Sequence, residues 1–239
     1  MKDKAIYLLL ILFLSITTFF YLNKVFSFHF VDEDHNFALG KYLLQGEILY
    51  RDFFTNHQPM ETIGSALIQK STNPPNIAQL VKRHRQAIQI YMLIGYGILV
   101  FYFGKKVIPF IVIFELSRFY LLGNLFLSET LIIFPLLILE GLTVWSPKPS
   151  KLSHFLFGLS LIWSFFLLAP MWPLLIFITA VYLNKIKSTV KENIIFIVLG
   201  IILALISVMP FIDIEGYFRY AILSNLQYTV AATSYFGPW

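Results

Sequence analysis

Seven apolar runs, at about residues 5–28, 87–103, 107–122, 125–145, 152–169, 171–184 and 193–212, dominate this chain and limit what it can fold into. A helix crossing ~30 Å of hydrocarbon needs ~20 mainly apolar residues. Some runs fall short of that length, so their pairing has to be argued from the charges between them. Of the 239 residues, 58% are hydrophobic and 13% charged, against about 25% charged in an ordinary soluble domain. A soluble globule of this size still needs a polar shell. Lipid is therefore the expected solvent for most of the surface. The expected fold is an all-α, polytopic transmembrane helical bundle of about seven helices, a single domain over residues 1–239.

Basic residues order the runs. Lys2 and Lys4 precede the first, Lys105 and Lys106 follow the second, Lys148 and Lys151 follow the fourth, and Lys185, Lys187 and Lys191 follow the sixth. If every run crosses, all four clusters fall on one face, as the positive-inside rule requires. Reading 152–184 as one span would put Lys185 opposite Lys148. Two hairpins are thus expected, with outer turns at Gly123-Asn124 and Pro170–Pro173. The N-terminus is expected in the cytoplasm, the loop 29–86 and the segment 213–239 outside, and the location a bacterial plasma membrane. The first run lacks a cleavage site and reads as an uncleaved signal anchor. With no cysteine, disulfides and thiolate chemistry are excluded. The scattered lysines give no nucleic-acid face.

The loop 29–86 carries most of the reactive side chains. It opens with His29-Phe30-Val31-Asp32-Glu33-Asp34-His35, and acids beside hydrocarbon are costly. An interfacial helix is expected from Glu33 to about Gln45, with Asp32 as its cap and Gly46 ending it. A second amphipathic stretch follows at 60–70. Lys82-Arg83-His84-Arg85 sits before the second membrane run and reads either as an interfacial anchor or as a phosphate site. Glu115 and Arg118 stand three apart inside the third run, spaced for an intrahelical ion pair. Glu129 heads the fourth with no local partner.

In order, Asp32-Glu33, Gly46, Leu49-Tyr50-Arg51-Asp52, Asn56-His57-Gln58-Pro59 and Ser128-Glu129 resemble the first outer loop and following helices of GT-C fold glycosyltransferases. The branch is that of protein O-mannosyltransferases and aminoarabinose transferases (glycosyltransferase family 39-like). Gln58 departs from the proline common at that point. The resemblance covers about residues 1–145. It implies that the chain is the N-terminal portion of a longer protein or a truncated member.

It also implies a donor sugar on a polyprenyl phosphate and a lipid, glycan or protein acceptor, reacting at the outer face with inversion. Asp32 would be the general base, and Glu33 would orient it or hold an acceptor or metal. Arg51, Asp52, His57, Lys82, Arg83, Arg85 and Glu129 would bind substrate, with Arg suited to phosphate by its bidentate fork. No spacing in the sequence defines a metal site, no cofactor is implied beyond the lipid-linked donor, and a divalent metal is compatible with the chemistry. A transporter or flippase for a lipid-linked substrate would use the same charges without bond chemistry, and a structural subunit is a third alternative.

Overall fold

The computed structural model describes residues 2–27, 31–146, 150–224 and 227. His29, Lys148 and most of the segment after Ser224 lie outside them. The chain is all-helical, and no strand forms among the described residues. In order come α1 (Lys2–Asn23), α2 (Val31–Leu44), α3 (Pro59–Thr72), α4 (Ile77–Phe103), α5 (Ile108–Ser117), α6 (Ser128–Leu131), α7 (Ile133–Val144), α8 (Lys151–Phe165), α9 (Trp172–Lys185), α10 (Val190–Val208) and α11 (Ile214–Tyr217). Each of the seven apolar runs contains a helix. Three stretches, Lys4–Asn23, Ile77–Ser117 and Val190–Phe211, are long and apolar enough to cross a bilayer.

The second of these stretches is folded back on itself. Gly104, at φ +63°, ends α4 and opens a 3-10 turn to Val107. Beyond it α5 returns along α4, since Tyr96 donates to Glu115 and Arg118 donates to Gln89. The α4 helix starts at Ile77, not near residue 87. The Asn76 side chain caps it by accepting from Gln79 N at 2.9 Å. Lys82–Arg85 are therefore helical, within the first turns of α4. The expected helix at 33–45 spans Val31–Leu44, with Asp32 in its first turn and Gly46 at φ +89° beyond its end.

Side-chain and backbone contacts sort the helix ends into two groups. At one end, Glu33 on α2 meets Arg85 on α4 and the backbone of Phe126, Met60 N donates to Phe166 O after α8, and Leu49 N donates to Phe211 O after α10. At the other end, Phe103 packs on Gly141 and Trp145, and Lys185 Nζ donates to the carbonyls of Leu142 and Thr143. The closest crossing is α8 on α10: a Cβ at Gly158 would strike the carbonyl of Ile197, and one at Gly200 the carbonyl of Phe155. Small residues at such crossings let backbones approach and gain dispersion contacts that lipid cannot supply.

A polar network lies among α1, α4 and α5. Arg118 is 0% exposed. It stacks 3.9 Å over the Tyr21 ring and lies 3.5 Å from Glu115. Tyr21 donates to the Glu115 carbonyl at 2.7 Å. The expected i,i+3 pair forms, and its partners extend to two neighbouring helices.

Candidate functional site

The acids at the start of α2 divide the work between them. Glu33 is 1% exposed. Its Oε2 accepts from Arg85 Nη2 at 2.5 Å and its Oε1 from Phe126 N at 2.7 Å. Burial pushes its pKa up, and Arg85 with the Phe126 amide opposes that rise. The carboxylate thus ties α2 to α4 and to the segment leading into α6. Asp32, one residue earlier and ~100° around the helix, faces a different neighbourhood.

That neighbourhood is a cleft of about 150 Å³ lined by Asp32, Asn56, His57, Gln58, Glu61, Ser128 and Glu129, with Leu127 and Leu167–Pro170 as its apolar wall. Four separate segments build it: α2, the loop before α3 with the first turn of that helix, α6 with Leu127 before it, and the turn before α9. Buried contacts fix the loop. His57 N donates to Thr55 Oγ1 at 3.1 Å, and Tyr50 OH donates to the His57 carbonyl at 2.6 Å. Tyr50 sits at φ +70°, a left-handed conformation that costs an aromatic residue energy and persists only where surrounding contacts impose it. Here its hydroxyl bond and near-complete burial do so. Gln58 Oε1 accepts from Tyr217 OH at 2.7 Å, which ties the loop to α11.

Glu61, on the first turn of α3, is the most perturbed acid in the cleft. It is 2% exposed and accepts from Asn36 Nδ2 at 3.0 Å and from Ser128. Asn36 Nδ2 also donates to the Asp32 carbonyl at 3.0 Å, so one amide joins the two acidic positions. Burial, reinforced by nearby Glu129, pushes the Glu61 pKa up to about 8, so it holds a proton at neutral pH. His57 Nδ1 lies 3.9 Å from Glu61 Oε2, and the His57 ring is 5.3 Å from that of His35. Burial, with His57 nearby, lowers the His35 pKa. Sequence reading passed over Glu61. Its signal was the row Glu61, Ser65 and Gln69, at i, i+4 and i+8, a polar face on a helix whose other face is apolar.

Of the expected site residues, Asp32, His57 and Glu129 meet in the cleft. Glu33 and Arg85 pair with each other beside it. Arg51 and Asp52 pair at 2.9 Å on an exposed turn, where Asp52 also accepts from Ile48 N. Lys82 and Arg83 are exposed on α4, with Arg83 donating to Gln86. Among the described residues no Lys or Arg lines the cleft, and no group of three or more His, Asp and Glu side chains is arranged to hold a metal ion. A cavity of carboxyl groups with a histidine takes up protons and attracts neutral or cationic groups, whereas a phosphate would be repelled from it. The chain matches no family model, no curated protein and no solved structure.

Proposed function

We propose that the chain is a GT-C-like membrane glycosyltransferase that moves a sugar from a polyprenyl-phosphate donor to an acceptor at the outer membrane face. Asp32 removes the proton from the acceptor hydroxyl or amine as that atom attacks the anomeric carbon. The bond to the donor phosphate breaks on the opposite side of the sugar, the phosphate leaves with the electron pair, and the configuration inverts.

The observation that carries this reading is the convergence of Asp32, His57 and Glu129 on one cleft beside α2, three residues the resemblance had selected from separate parts of the chain. Its acids suit the acceptor side of the reaction. The donor phosphate then stays outside the cleft, and the exposed Arg51, Lys82 and Arg83 are the cations proposed for it.

An apolar groove supports a lipid-borne donor. It runs between α7 and α9 with Phe110 of α5 beside it, and Ile133, Leu137, Leu174 and Val181 are among its walls. Ile133 and Leu174 each follow a cleft residue, Glu129 and Pro170, by four positions. Its volume is about 480 Å³. The reading includes a topology of seven passes, with the N-terminus and the basic clusters inside and the cleft outside.

Proteoliposomes holding a radiolabelled polyprenyl-phosphoryl sugar test the class of activity. Appearance of a glycosylated acceptor is the expected result. Movement of the labelled lipid across the bilayer without such a product would identify a transporter instead.

A further inference from the structure

A second cleft opens beside the C-terminal half of α3. At ~100° per residue, Glu61, Ser65 and Gln69 share one face of this helix, and Ile63, Leu67 and Lys70 lie opposite. Between the stretch of α3 from Ile63 to Lys70 and the last turn of α2 is a cavity of about 420 Å³, which Gln69 also lines. Leu43, Ile63, Ala66 and Phe211 form its apolar lining, and Lys41 of α2 and Lys70 of α3 border it. No carboxylate lines it. Both lysines are exposed, and neither has an ion-pair partner among the described residues. Next to them Leu44 is 37% exposed and Leu67 58%.

We propose that this cleft binds an anionic phospholipid, with the phosphate between Lys41 and Lys70 and an acyl chain along Leu43, Ile63 and Leu67. Two ammonium groups from different helices over an apolar floor call for a ligand that is anionic at one end and apolar at the other. Each lysine, taken alone, would complement its own helix C-terminus; the cavity they share adds an apolar floor to the two charges. Free phosphate would use the lysines and not the floor. Lys and Arg at a membrane surface attract anionic headgroups in this way. The proposal rests on the chain lying in a bilayer and is independent of glycosyl transfer.

The purified full chain is titrated in micelles with phosphatidylglycerol, phosphatidylcholine or inorganic phosphate, with binding followed by native mass spectrometry and by the unfolding temperature. Phosphatidylglycerol is expected to bind at least about fivefold tighter than phosphatidylcholine, given the attraction of each surface lysine for anionic lipid, and to raise the unfolding temperature. Lys41→Gln/Lys70→Gln should lose that preference while unfolding at the wild-type temperature in phosphatidylcholine, and the charge-keeping Lys41→Arg/Lys70→Arg variant should retain it. Equal binding of the two lipids by the wild type, a preference that survives the double Gln substitution, or an equal effect of inorganic phosphate would each overturn the proposal.

Discussion

At the scale of single residues, the site depends on which acids are consumed by structure and which remain available. Glu33 is consumed: both its oxygens are bound, one by Arg85 and one by the Phe126 amide. Asp32 lines the cleft, and Glu61 stays protonated beside it. Protonation of Glu61 has a signed consequence for stability. Its folded pKa of about 8 lies above the value near 4.3 of an exposed glutamate. The folded chain therefore holds more protons than the unfolded chain between those values, and its stability falls as pH rises through that window. The unfolding temperature of the wild type should drop between about pH 5 and pH 8, and Glu61→Gln should flatten that slope. A slope unchanged by Glu61→Gln would mean that Glu61 is ionised in the folded state. Asp32, His57 and Glu129 were picked out by the order of the short motifs that hold them, Asp32-Glu33, Asn56-His57-Gln58-Pro59 and Ser128-Glu129. Glu61 was hidden within an amphipathic helix, where a buried polar row and a solvated one have the same spacing. The orientation of Arg85 was also out of reach, because its partner stands 52 positions upstream.

At the scale of elements, hydropathy located the helices better than it located their ends. Every apolar run holds a helix, but α4 extends back to Ile77 through Gln79, Lys82 and Arg83, polar residues that a count of apolar positions omits. The crossing of α8 and α10 could not be read from sequence at all, since nothing local pairs Gly158 with Gly200. This crossing predicts a sharp difference among glycines. Gly158→Leu forces a side chain into the backbone of α10, and overpacking of this kind costs about 1–3 kcal/mol or more. Gly97 meets nothing within 4 Å, so Gly97→Leu should leave the unfolding temperature in micelles nearly unchanged while Gly158→Leu lowers it by several degrees. Equal effects would mean that α8 and α10 do not touch at these glycines.

At the scale of the whole molecule, the two groups of helix ends give the proposed orientation a direct check. The chain has no cysteine, so single cysteines report without background. Ser71, at the end of α3, and Ser188, after α9, are both exposed and belong to opposite ends. In intact cells a membrane-impermeant maleimide should label Ser71→Cys, whereas Ser188→Cys should be labelled only after permeabilisation. The reverse pattern would turn the cleft toward the cytoplasm. The placing of basic clusters along the sequence is the basis of the proposed orientation. The joining of α2, α3, α6 and the turn before α9 around one cavity was not legible in sequence, because it depends on tertiary pairings such as Glu33 with Phe126.

The central claim is that Asp32 acts as the base for glycosyl transfer in this cleft, and replacing it with Asn tests this most directly. The substitution keeps the shape of the side chain, exchanges one acceptor oxygen for an NH2 donor, and removes the charge and the ability to take a proton. In proteoliposomes supplied with a polyprenyl-phosphoryl sugar, Asp32→Asn should lower the rate of transfer by about 10²-fold or more, the usual contribution of a positioned base, while binding the donor as tightly as the wild type. Transfer at the wild-type rate by a folded, donor-binding Asp32→Asn protein would contradict the account.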